Sequence, residues 1–164
     1  MTQSEKQTLI EAISSAWKDV PCPGTENIFT PDSYDDEGIT EYFKDTTWHG
    51  HKPEILRGFD SAISTFFTNE AYHYWLPAFL IAAVENPEEL SQGTDAIVRS
   101  FIPEDYWRKE EYYSRMAMLT NEQKMVIISV IEHLAEFHFH PDYPDAIEEE
   151  KLALKYLYEN TSMA

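Results

Sequence analysis

The chain has 164 residues, a length that suits a single domain able to bury roughly two-thirds of its unfolded surface without metals or disulfides. Thirty acids against twelve bases give a net charge of −18, and the excess is spread along the whole chain. Such a field repels phosphate backbones and anionic lipid heads, which argues against nucleic-acid and membrane partners; it would attract a basic protein partner, although acidic composition alone favours the simpler reading that the charge keeps the chain soluble. A single cysteine, Cys22, excludes an internal disulfide and points to a reducing compartment.

The N-terminal stretch lacks the basic-then-apolar order of a signal peptide, so a cytoplasmic location is expected. Ser4 to Asp19 reads as the first helix. Ser4 and Gln7 form a capping box, and Leu9, Ile10, Ile13 and Trp17 form one apolar stripe. Pro21, Pro23 and Gly24 stop it. Cys22, between two prolines, has no neighbouring base and reads as a small packing residue. The run Asp35-Asp36-Glu37 precedes a short helix over about Asp36–Lys44, where acids complement the helix dipole.

Trp48 enters a polar turn whose His49 and His51 read as solvated loop histidines. Glu54–Phe67 is the next helix, with Ile55, Phe59, Ala62, Ile63 and Phe66 on its buried side. The most apolar segment follows, and Pro77 within it predicts a kink, or one helix ending and another beginning. Its aromatics, Tyr72, Tyr74 and Trp75, read as core. Asn86-Pro87 ends it, and Thr94–Phe101 is a short helix.

Pro103–Met118 reads as a loop or a short helix. Thr120 and Gln123 make a second capping box at the head of a helix reaching Phe137, with Val126, Ile127, Val130, Ile131, Leu134 and Phe137 on one side. Asp145–Glu159 follows with Ile147, Leu154, Leu157 and Tyr158. Pro141 and Pro144 make the connection tight, which favours an antiparallel hairpin. The expected fold is therefore an all-α compact bundle of about six or seven helices over 1–164, with a C-terminal antiparallel helical hairpin and the Pro77 segment at its centre.

The sequence carries no phosphate-cradling glycine loop, nucleophile elbow or EF-hand loop, so no catalytic residue and no cofactor is assigned. His133, Glu136, His138 and His140 form the runner-up metal set, but their spacing matches no standard zinc pattern. Histidines at a helix C-terminus are expected from the dipole alone. The candidate partner-binding residues are of two kinds. Asp35, Asp36, Glu37, Glu41 and Asp45 cluster in one short segment and would steer a basic partner. Tyr106, Trp107, Tyr112 and Tyr113 lie among charges without a clean buried stripe and would anchor it.

Three segments taken together resemble a known pattern. They are Trp17-x-x-Val20-Pro21-x-Pro23-Gly24-x-x-x-Ile28, then Phe43-x-x-x-x-Trp48, then Ala71-Tyr72-x-Tyr74-Trp75-Leu76-Pro77-Ala78-Phe79-Leu80. This resembles a family of small bacterial proteins known only as a domain of unknown function, with a Tyr-x-Leu-Pro-Ala core after a Phe…Trp segment. The match spans most of residues 10–137. The chain departs from that pattern at Lys44-Asp45, where a glycine is expected nearby, and at Trp75, where a tyrosine is usual. The resemblance implies a helical C-terminal region and brings no catalytic residues with it.

Two classes of function follow as expectations. One is an acidic binding protein, such as a bacterial immunity protein that neutralises a basic toxin by covering its active cleft. The other is a metal- or His/Glu-dependent enzyme on the C-terminal helices; an adaptor or scaffold is a third reading.

Overall fold

A computed structural model describes residues 1–30 and 38–161. The fold is all-α. Its helices are α1 (Gln3–Trp17), α2 (Ile39–Phe43), α3 (Pro53–Leu56), α4 (Asn69–Glu85), α5 (Pro87–Leu90), α6 (Gln92–Arg99), α7 (Lys109–Met118), α8 (Asn121–His138) and α9 (Glu148–Glu159). Six of them have eight residues or more, in line with the expected bundle. Extended pairing among the described residues is one antiparallel bridge, Phe29 to Phe67.

The central helix is α4, whose residues from Tyr74 to Leu80 are all buried. Pro77 does not end it: α4 runs unbroken from Asn69 to Glu85. A proline lacks the N–H that would bond the carbonyl four residues back, which here belongs to His73. The Trp17 indole N–H of α1 donates to that carbonyl at 2.8 Å, so the freed acceptor is satisfied from the neighbouring helix. Trp17 is fully buried, and α1 packs along both α4 and α8.

Helix starts are set by side chains. The first capping box is Thr2 with Glu5, two residues earlier than the Ser4–Gln7 pair, and the helix runs Gln3–Trp17, so it also ends short of Asp19. The Thr120–Gln123 box is present at α8. Gln123 is buried, and its side chain also donates to Ala16 O at 3.0 Å and accepts from His73 Nε2 at 3.0 Å. One residue thus caps α8 and ties it to α1 and α4.

The expected Glu54–Phe67 helix is broken into α3, a 3-10 turn (Arg57–Phe59) and a π-helical turn (Ala62–Phe66). The changes of winding rotate the buried face, so Leu56 is buried where Ile55 was expected, and Ile55 is 43% exposed. Departures also occur at the C-terminal hairpin. Phe137 and Tyr158 are about half exposed, while Ala153 and Glu150 of α9 turn inward. Cys22 is exposed rather than packed.

Among the described residues two that are not glycine have positive φ: Asp45 at 63° and Ser91 at 54°. Asp45 follows α2 in the left-handed region that glycine enters without strain. Ser91, with ψ −123°, joins α5 to α6 in a conformation that glycine adopts without strain. Ser91→Gly is expected to raise stability by about 1 kcal/mol in urea unfolding, the relieved strain exceeding the added chain entropy.

Candidate functional site

The four aromatics of the Tyr106–Tyr113 segment do not share one surface. Tyr112 is buried, its ring edge-on to Tyr106 with centroids 5.5 Å apart. Burial pushes the Tyr112 hydroxyl well above its ordinary range. The Tyr106 hydroxyl donates to Ser100 O at 2.9 Å and accepts from Arg115 at 3.4 Å. Both rings therefore serve the interior and drop out as anchors. Trp107 and Tyr113 point the other way and are 97% and 59% exposed.

The residue that divides them is Arg115, which the sequence did not single out. It is buried, and its guanidinium lies 4.4 Å from the Tyr72 ring centre and 5.5 Å from that of Tyr106. It donates to Ile63 O at 3.1 Å, Phe67 O at 2.7 Å and Asn69 Oδ1 at 3.2 Å, and pairs with Glu111 at 2.8 Å. The π-helical turn leaves carbonyls at its C-terminal end in need of donors, and Arg115 supplies two of them. With α7 fixed through Arg115, Tyr112 faces inward and Tyr113 outward.

The surface around the outward pair is mixed in charge but acidic on balance. Glu104, Asp105 and Glu110 stand beside Arg108 and Lys109 in sequence. Glu104 accepts a hydrogen bond from Tyr156 of α9, which holds its carboxyl below the usual range. Of the expected steering acids, Glu41 and Asp45 are exposed at the end of α2, where Glu41 pairs with Lys44 at 2.8 Å. Asp35, Asp36 and Glu37 lie outside the described residues.

The runner-up metal set does not converge. His138 turns toward α6 and α9, with Nδ1 against the buried Glu150 carboxylate and Nε2 3.2 Å from Thr94 Oγ1. The Glu150 bond and its charge raise the His138 pKa against the opposing effect of burial. His140 is exposed and accepts from the Asp142 N–H at 3.1 Å. His133, buried, and Glu136, exposed, share a side of α8 that is not the side from which His138 reaches α6 and α9. Among the described residues no three His, Cys, Asp or Glu side chains are grouped to hold a metal ion. In the loop, His49 stacks on Trp48. His51 is tied to Tyr42 at 2.7 Å and to Thr47 O at 2.6 Å, and burial lowers its pKa.

A second feature was missed because its parts are far apart in sequence. A cleft of about 470 Å³ lies between the start of α1, the α4–α5 junction and the C-terminal half of α8. Lys6, Glu85, Glu88, His133, Glu136 and Phe137 are among its lining residues.

Fold and surface together define an acidic all-α protein with a solvated aromatic pair and an acid-lined cleft. The chain belongs to a family of unknown function, DUF6714, whose model matches residues 5–156. No curated protein and no solved structure matches it. No helix of the described residues is long and apolar enough to cross a membrane.

Proposed function

We propose that this chain is an acidic, cytoplasmic binding protein that neutralises a basic protein partner, in the manner of a bacterial immunity protein acting on a toxin. The observation that carries the reading is Trp107, 97% exposed. A solvated tryptophan contributes nothing to the core, whereas desolvated tryptophan and tyrosine dominate binding energy at protein interfaces. The net charge of −18 supports a partner of opposite sign.

Trp107 and Tyr113 are the anchors in this reading, and the exposed acids Glu41, Asp45, Glu104 and Glu110 steer. Asp35, Asp36 and Glu37 belong to the same steering group by sequence. The test is capture from a lysate of cells that carry the gene natively, at low and high salt. A basic protein retained at low salt and weakened by high salt is the expected result. Capture of acidic proteins alone, or of none, would remove the reading. With the partner in hand, neutralising Glu41 and Asp45 should lower the association rate and flatten its salt dependence, leaving dissociation nearly unchanged.

A further inference from the structure

One small pocket gathers three metal-ligating side chains from three separate segments. It measures about 150 Å³ and lies between the loop after α1, the α4 helix and the end of α7. Cys22, His73 and Met118 are among its lining residues, with Val20 and Pro21 as apolar wall. Cys22 is exposed, and Pro21 and Pro23 restrict the backbone on either side of it. Burial and then the neighbouring Cys22 thiol raise the Tyr74 pKa, which sets the thiol close against α4. Met118, the last residue of α7, is partly buried yet is not packed into the hydrophobic core.

The His73 ring is held in the tautomer that leaves Nδ1 for a ligand. Gln123 Nε2 donates to Ala16 O, which orients the amide, and Gln123 Oε1 accepts from the Thr120 N–H. An amide oxygen only accepts, so its 3.0 Å bond to His73 Nε2 places the hydrogen on Nε2. Burial lowers the His73 pKa against that bond, so the ring is neutral at pH 7 and its lone pair is on Nδ1. Nδ1 has no partner among the described residues, and unlike the sealed nitrogens of His133 it is open to solvent. A metal-bound histidine donates its second N–H to a fixed acceptor in the same way.

We propose that this pocket binds a copper(I) ion through Cys22 Sγ, His73 Nδ1 and Met118 Sδ. Thiolate and thioether are soft donors that select copper(I), and the imidazole completes a three-coordinate set. Zinc(II) takes four ligands drawn from thiolate, imidazole and carboxylate, and a thioether is not among them. Glu70 also lines the pocket, but no three His, Cys, Asp or Glu side chains are grouped for a metal among the described residues, so it does not stand in for Met118. Cys22 binds as the thiolate, its proton passing to solvent, and the oxidation state of the ion does not change. The lining contains no lysine or arginine, and the acidic field of the chain favours a cation. The inference does not rest on the basic-partner reading: failure to capture a basic protein leaves it standing, and the test below uses the protein alone.

The test titrates the reduced full chain with copper(I) at pH 7.5 without oxygen, the chromophoric chelator bicinchoninate competing for the ion. The protein is expected to withdraw one equivalent from the chelator. The imidazole ¹⁵N resonance of His73 Nδ1 should move with it, while Nε2 keeps its proton. Cys22→Ser, at an exposed site, should abolish binding. Met118→Leu conserves volume and should leave thermal unfolding of the metal-free protein unchanged. The same variant should weaken copper(I) binding by about tenfold or more, no less than the loss of an outer-shell partner costs. Excess zinc(II) should not displace the ion. No withdrawal from the chelator, an unmoved Nδ1 resonance, retained binding in the serine variant or displacement by zinc(II) would overturn the proposal. So would a Met118→Leu protein that binds as tightly as wild type, since an exposed thiol would then be acting alone.

Discussion

Replacing Arg115 by methionine is expected to cost about 4 kcal/mol of stability in urea unfolding at pH 7. Two buried carbonyls, Ile63 O and Phe67 O, lose their donor, and each orphaned acceptor costs about 1–3 kcal/mol. The Glu111 pair and the ring contacts with Tyr72 and Tyr106 go with it. Arg115→Lys keeps the charge but loses the fork that reaches both carbonyls, and is expected to recover only about half of the loss. A loss below about 1 kcal/mol for the methionine variant would mean that the π-helical turn finds other donors.

The second large effect concerns the joint between α8 and α9. Glu150 is 3% exposed and meets His138. Removing the histidine leaves a buried carboxylate without that partner, so His138→Ala is expected to cost about 3 kcal/mol near pH 6. The pH dependence has a definite sign. A histidine whose pKa is raised in the folded state stabilises fully below its unfolded value of 6.5. That stabilisation fades as pH rises through the higher folded value. His51, His73 and His133 are shifted downward by burial and act in the opposite sense, so the His138 contribution must be isolated by difference. Glu150→Gln should therefore destabilise by about 2 kcal/mol near pH 6 and much less at pH 8. An NMR titration should place the His138 midpoint above 6.5 and the other three below it. A His138 midpoint at or below 6.5 would contradict the ion pair.

What the sequence reveals about this fold depends on how local each feature is. The Thr120–Gln123 box was legible because donor and acceptor lie three residues apart, at the start of a clear apolar stripe. The same rule misplaced the start of α1, because Thr2–Glu5 and Ser4–Gln7 both satisfy it. Pro77 was read for the bond it breaks. The partner that repairs the break, Trp17, lies sixty positions away and leaves no mark beside the proline. Tyr106 and Tyr112 carry the same charged flanks as Trp107 and Tyr113; only the burial of Arg115 against Ile63 and Phe67 decides which pair turns in. The His133–His140 group was visible as a cluster in sequence, yet α8 sends His133 toward α1 and His138 toward α9. Glu150, the partner that gives His138 its role, comes from α9 and leaves no mark beside the histidine in sequence.

The central claim is that the solvated tryptophan binds a basic protein. It is tested most directly by the dissociation rate of the captured partner from wild-type and Trp107→Ala protein, with thermal unfolding of both measured alongside. A side chain 97% exposed contributes little to folding, so the unfolding temperature should not change. Loss of a true anchor costs about 2 kcal/mol or more, so dissociation should accelerate by about thirtyfold. An unchanged dissociation rate in a variant that remains fully folded would contradict the account.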